Sequence, residues 1–257
     1  MRQRVDYDSI APLYDARYEH DPLAGVALEL RALAERVGAT DALEVGCGTG
    51  RWLQELRAVV ANRVCGLDFS GGMLRRAASQ AGKARLVHGD AARLPFAAAS
   101  FDLVYAVNAL HHFTDKPGFI GEARRVLGPG GALAVVSIDP HIGRDRWYLY
   151  DYFEGLRAVD WERFPSAGSL LDWMLAAGFR QAEWRVAESV RETYAGPAVW
   201  GSPFIQRFGT SQLALLSDEA YAAGIDRMRA DIASAHARGR EAEFTADLWL
   251  TLLVGWA

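Results

Sequence analysis

Apolar residues along the 257-residue chain fall in short runs separated by amphipathic stretches, and each kind of stretch predicts its element. Strands are expected over 42–45, 63–68, 84–88, 100–108, 132–139, 179–191 and 244–257. The run Phe101-Asp102-Leu103-Val104-Tyr105-Ala106-Val107 is nearly continuously apolar, as a central parallel strand covered on both faces requires. Helices are expected between the strands. One covers 51–60, with Trp52, Leu53, Leu56 and Val60 close to one face; others start near Gly72, cover 119–127 and cover 169–177. Tyr7, Ile10, Tyr14 and Tyr18 fall at helical spacing ahead of Asp21-Pro22, which breaks the run, and a second helix over 23–37 stops at Gly38. Residues 1–37 therefore read as an N-terminal helical cap and 38–139 as a core. Residues 140–257 read as the C-terminal part of the same domain, with aromatic insertions over about 140–167 and 193–243, the latter carrying an amphipathic helix from 218 to about 236.

The first strand breaks into Leu43-Glu44-Val45-Gly46-Cys47-Gly48-Thr49-Gly50 and then enters a helix. Glycines at alternate positions let the backbone turn sharply and leave no Cβ between it and a ligand. A glycine turn between a strand and a helix N-terminus is where α/β sheets bind nucleotide-like ligands. The dinucleotide fingerprint needs a third glycine at the sixth position, where Arg51 stands, and no Gly-Lys-Ser/Thr phosphate loop follows. Asp68 closes the second strand, 22 residues after Gly46, where a carboxylate can accept from both hydroxyls of a ribose. The alternatives for Asp68 are a surface acid or the cap of the helix near Gly72, a role that Ser70 would fill equally well.

The Glu-x-Gly-x-Gly-x-Gly turn resembles that of class I S-adenosylmethionine-dependent methyltransferases, in particular the small-molecule branch with the ubiquinone and menaquinone biosynthesis enzymes. Three further segments follow in that family's order: Asp68; Gly89-Asp90-Ala91 with Leu94-Pro95-Phe96; and Arg125-Val126-Leu127-Gly128-Pro129-Gly130-Gly131. The resemblance covers roughly residues 5–139 and thins beyond. It implies an α/β, Rossmann-like, seven-stranded, mostly parallel sheet with helices on both faces, an antiparallel last strand and helical lid insertions. It implies S-adenosylmethionine as cofactor and S-adenosylhomocysteine as product. The residues it assigns to the cofactor are Glu44, Gly46, Cys47, Gly48, Gly50 and Asp68, with Phe69 and Met73 against the adenine. Asp90 and Ala91 would read the adenine edge, Asn108 would lie beside the sulfonium, and Tyr14 and Tyr18 would belong to a cap over the methionine end.

Composition narrows the partner. The net charge is −4, which argues against nucleic acid as the main partner. Nor does the end of strand four, Asn108-Ala109-Leu110-His111, carry the Asn/Asp-Pro-Pro-Tyr/Phe motif of amino-methylating nucleic-acid enzymes. Met1 to Asp6 hold no apolar core, so no signal peptide is expected, and no apolar run reaches the length of a membrane span. Two cysteines, Cys47 and Cys65, point to a reducing, cytoplasmic compartment. The six histidines show no metal-ligand spacing, so no metal is expected. His111 and His112 are the candidate catalytic residues, because an imidazole accepts a proton near neutral pH; their other reading is a backbone cap and a packing residue. The stretches 147–164 and 200–208, with Trp147, Tyr150, Phe153 and Trp200, would line an acceptor pocket for a flat or lipophilic small molecule. Trp and Tyr also favour interfaces, so a core or a homodimer contact is the other use of these stretches. The expected activity is methyl transfer to oxygen or carbon of such a molecule by in-line displacement. The rivals are an S-adenosylmethionine- or S-adenosylhomocysteine-binding protein without transfer activity and a nicotinamide oxidoreductase.

Overall fold

The computed structural model describes Val5, residues 7–10, 23–207 and 209–257. Its strands are β1 (Asp41–Val45), β2 (Arg63–Asp68), β3 (Arg85–His88), β4 (Phe101–Val107), β5 (Leu127–Ser137), β6 (Arg146–Trp147), β7 (Gln181–Ala195) and β8 (Glu243–Trp256). They form one sheet in the spatial order β3-β2-β1-β4-β5-β8, with β7 on the far side of β8. The pairings from β3 to β5 are parallel; β8 is antiparallel to both of its long neighbours. The two-residue β6 continues the β5 edge along β8, and is the addition to the seven strands expected.

The helices are α1 (Tyr7–Ile10), α2 (Ala24–Arg36), α3 (Arg51–Arg57), α4 (Gly71–Gln80), α5 (Lys116–Val126), α6 (Leu149–Tyr152), α7 (Leu156–Arg163), α8 (Ala167–Ala176), α9 (Ser211–Ala214) and α10 (Asp218–Ala237). Strand side chains alternate between two faces. Ala42, Tyr105, Ala134 and Leu252 therefore pack with α2 and α3 on one side, and Leu43, Val104, Leu133 and Leu253 with α5 and α8 on the other. Each fully buried Leu, Val or Phe in these layers contributes roughly 1.5–3 kcal/mol. A third apolar cluster holds Trp147, Leu149, Phe153, Val199, Met228 and Phe244, so the insertions carry a core of their own.

Several boundaries differ from expectation; β5 begins at Leu127 rather than 132, because Leu127 already pairs with Phe101, and ends at Ser137, and α3 ends at Arg57 rather than 60. Helix α5 starts at Lys116 rather than 119, because the Asp115 carboxylate accepts the Gly118 N–H (2.8 Å) and Pro117 suits a first turn. Strand β7 runs to Ala195, four residues past 191, because β8 pairs with it as far as Ala195 opposite Glu243. The expected break at Asp21-Pro22 lies outside the described residues. Among the described residues no helix is long and apolar enough to cross a membrane.

Candidate active site

The chain leaves β1 at Gly46, where φ is 77°. The N–H groups of Gly46 and Cys47 both donate to the Leu67 carbonyl (2.7 and 3.1 Å), tying the turn to the end of β2. A Cβ on Gly46 would lie 2.5 Å from the Ala109 methyl. The residue before Ala109, Asn108, leaves β4 with φ 48°, a conformation that Asn tolerates better than most side chains.

Asp68 ends β2, and its carboxylate accepts the N–H groups of Gly48 and Ser70, both at 2.8 Å. Ser70 is the cap of α4, its hydroxyl accepting the Met73 N–H (3.0 Å). Asp68 thus stays in the wall of the site, with lone pairs left for ligand hydroxyls. Burial pushes its carboxyl above the ordinary range against the pull of those N–H donors.

A cavity of about 380 Å³ opens over this turn. Gly46, Gly48, Asp68 and Met73 line it, as do Phe69, Asp90, Ala91 and Asn108. Phe69 stands 63% exposed at the rim, its carbonyl held by His88 Nε2 (2.8 Å). Helix α1 roofs the cavity with Tyr7 and Asp8. Asp8 accepts from the Ser70 hydroxyl and the Gly72 N–H, both at 2.6 Å, and these donors hold its carboxyl below the ordinary range. Tyr14 and Tyr18 lie outside the described residues.

Glu44, Cys47 and Gly50 do not line this cavity. Glu44 faces the α3 side of the sheet and is 1% exposed, the Tyr105 hydroxyl donating to it at 3.4 Å; burial pushes its carboxyl well above the ordinary range. The Cys47 thiol packs beside Gly66 and Leu53. Gly50 opens α3, where Ala77 and Ala81 leave no room for a side chain.

A second cavity of about 160 Å³ shares Tyr7, Asn108, His111 and His112 with the first. Trp147, Phe164, Val190, Phe204, Leu248 and Leu250 supply most of its apolar wall, and Thr210, Ser211 and Gln212 a polar end. Of the four aromatic residues expected in a pocket, only Trp147 reaches this wall. Tyr150 backs Trp147 edge-on (5.5 Å) and donates its hydroxyl to Asp160 (2.8 Å). Phe153 is buried in the insertion core and stacks on Tyr221, while Trp200 lies at the surface beside Arg229.

His111 is buried, stacked on Phe164 (4.1 Å) and tilted 46° against His112 (3.9 Å), with Nε2 3.4 Å from the Ser211 hydroxyl. The Tyr7 hydroxyl is 2.6 Å from His112 Nε2. Arg163 extends from the last turn of α7; its Nη2 donates to Ser211 (3.0 Å) and approaches His112 Nδ1 (3.5 Å). Behind it, fully buried Asp160 accepts from Tyr150 and from Gln212 (3.0 Å). Burial raises the Asp160 carboxyl and lowers the Arg163 guanidinium. Sequence reasoning missed Arg163, Asp160, Ser211 and Gln212: they carry no motif, although Asp160 and Arg163 lie within the aromatic stretch 147–164 that it singled out. Among the described residues, no group of three or more His, Cys, Asp or Glu side chains is placed to hold a metal ion.

The chain is similar to known proteins. A family model described as a methyltransferase domain matches residues 43–135. A Mycolicibacterium smegmatis protein named "probable S-adenosylmethionine-dependent methyltransferase" is 30% identical, over 73% of this chain and 76% of its own. A demethylmenaquinone methyltransferase from Oceanobacillus iheyensis is 32% identical, over 55% of this chain and 70% of its own. The crystal structure of the YcgJ protein from Bacillus subtilis shares the fold, with a TM-score of 0.62 at 19% identity, covering 90% of this chain and 97% of that one. With the glycine turn, the acid ending β2 and the inserted antiparallel strand in place, the chain belongs to the class I S-adenosylmethionine-dependent methyltransferases.

Proposed function

We propose that this methyltransferase acts on a small, flat, lipophilic molecule, at oxygen or carbon. The observation that carries the reading is the meeting of the two cavities at Tyr7, Asn108, His111 and His112. The larger cavity suits the cofactor. Its volume falls in the usual range of roughly 300–1,000 Å³, the bare backbone of Gly46 and Gly48 forms part of its wall, and Asp68 keeps acceptor capacity for a pair of hydroxyls. Gly46, Gly48 and Asp68 would hold the nucleoside, with Phe69, Met73, Asp90 and Ala91 around the base. When bound, S-adenosylmethionine supplies a methyl group already activated by its sulfonium.

The chain's own task is alignment, which can contribute about 7–11 kcal/mol to lowering a barrier. The smaller cavity holds the acceptor between Trp147, Phe164 and Leu250 and turns its reacting end toward the shared residues. A hydroxyl acceptor gives up a proton there, and an imidazole can receive it. A proton on His112 Nδ1 would set a cation 3.5 Å from the Arg163 guanidinium, which disfavours it. We therefore assign the proton to His111, with His112 orienting Tyr7.

The free, buried Cys47 and Cys65 fit a cytoplasmic protein. The test is isothermal titration with S-adenosylmethionine and S-adenosylhomocysteine, followed by an S-adenosylhomocysteine release assay over a panel of phenols, quinols and polycyclic hydroxy compounds. Release with at least one panel member, lost in His111→Ala while cofactor binding stays, supports the reading. Tight cofactor binding with no release across the panel refutes it.

A further inference from the structure

Among the described residues the second cavity has no carboxylate, lysine or arginine in its wall, yet a buried cation stands where it meets the first. The Arg163 side chain is 13% exposed, lines the larger cavity and touches Ser211 and His112, which line the smaller one. Its counter-charge is incomplete. Asp160 Oδ2 is taken by Tyr150 and Gln212, and Asp160 Oδ1 stays 3.7 Å from Arg163 Nη1, an ion pair without a hydrogen bond. Neither Nη1 nor Oδ1 has a hydrogen-bond partner among the described residues. Nη1 and Oδ1 are themselves closed off from solvent, so what the larger cavity meets is the rest of the Arg163 side chain, whose charge is only loosely held by Asp160. In a site screened from water a unit charge acts strongly on whatever lies a few ångströms away.

Resting on the small-molecule reading above, we propose that Arg163 selects the acceptor: a molecule with an apolar body and an acidic oxygen (a carboxylate, a phenol or an enol) at its reacting end. The body fills the cavity between Trp147 and Leu250, and the negative charge that the oxygen carries or develops lies at the junction, beside the guanidinium. An aliphatic alcohol gains little from that charge, and an ammonium is repelled by it. Asp160 is a positioning residue: with Tyr150 and Gln212 it fixes where the guanidinium sits. His111 still takes the proton where the acceptor brings one, and an acceptor that arrives ionised has no proton to give.

The test uses the full chain saturated with S-adenosylhomocysteine and three probes of one shape: 2-naphthoate, 2-naphthylmethanol and 2-naphthylmethylamine. Titration calorimetry of the wild type should show naphthoate binding at least tenfold tighter than the alcohol, with the amine weakest. Arg163→Gln should level the three while leaving S-adenosylhomocysteine affinity within twofold, and Arg163→Lys should restore part of the preference. Equal binding of the probes by the wild type, binding of none of them, or a preference for the amine overturns the proposal. So does loss of S-adenosylhomocysteine binding in a folded Arg163→Gln protein, which would make Arg163 a cofactor residue. The wild-type comparison needs no variant to fold. Failure of the wild type to bind S-adenosylhomocysteine at all would instead strike the cofactor reading itself.

Discussion

Replacing Gly46 by alanine puts the glycine turn to the test through two separable effects. The first is backbone strain. At φ 77° an L side chain meets the adjacent carbonyl, costing roughly 1–2 kcal/mol. The second is a clash: the new Cβ would sit 2.5 Å from the Ala109 Cβ, with the Phe113 ring 3.4 Å away on another side. Forcing a methyl into such a space costs about 1–3 kcal/mol. The sum is on the order of 2–5 kcal/mol, and for a domain of this size it lowers Tm by roughly 4–20 °C. The turn must also move, and with it the backbone that faces the cofactor, so the Kd for S-adenosylhomocysteine should rise at least tenfold. The two effects part in a double-mutant cycle with Ala109→Gly, followed by urea unfolding and calorimetry. Removing the Ala109 methyl relieves the clash and leaves the strain, so the cycle should return a coupling of about 1–3 kcal/mol. A Gly46→Ala protein with unchanged Tm and unchanged affinity, or strict additivity with Ala109→Gly, refutes the reasoning.

Other perturbations address the remaining walls. Asp68→Asn keeps the size but replaces one acceptor by a donor, so either the Gly48 or the Ser70 N–H loses its partner; about 1–3 kcal/mol of stability and most cofactor affinity should go, as read by thermal melts and calorimetry. Glu44 has its carboxyl raised by burial, so the folded state holds a proton that the unfolded chain releases near pH 4.5; this contribution is full below that pH and is lost as pH rises through the folded value. Glu44→Gln should therefore flatten the fall in stability across that window in urea unfolding at a series of pH values, and an unchanged slope would contradict it. Val190→Phe fills the second cavity and leaves the first alone, so S-adenosylhomocysteine affinity should hold while methyl transfer to any acceptor is lost; retained turnover would place the acceptor elsewhere.

Most of the larger cavity's wall was legible because its parts are local. A strand, a turn and a helix start occupy consecutive residues, and Asp68 is fixed by the length of one β-α-β step. The exceptions inside that stretch have a plain cause. Side chains alternate along β1, so Glu44 shares a face with Ala42 and points at α3, away from the ligand. Gly50 serves the packing of α3 on α4. The acceptor half depends on long-range pairing. Trp147 reaches the cavity because β6 docks on β8, and Val190 and Leu248 face it from paired positions on β7 and β8. Aromatic content picked out stretches that reach the smaller cavity but not the residues that face it, and Tyr150, three residues after Trp147, stands behind it.

This division bears on what family membership conveys. The matched region, residues 43–135, contains Gly46, Asp68, Asp90 and Asn108, and so most of the cofactor wall. Of the second cavity's lining it contains only Asn108, His111 and His112. Most of what would distinguish one acceptor from another, from Trp147 and Arg163 to Ser211 and Leu250, comes from the strands and helices that follow, while Tyr7 and Leu23 come from before the matched region. Those elements add an apolar core of their own around Phe153 and Phe244, while Val190 and Leu250 pack in the same cluster as Ala42 and Leu53 on the α2–α3 face of the sheet. On the function proposed above, the two shared histidines stand where the acceptor chamber meets the cofactor chamber, and specificity is to be sought on the far side of them.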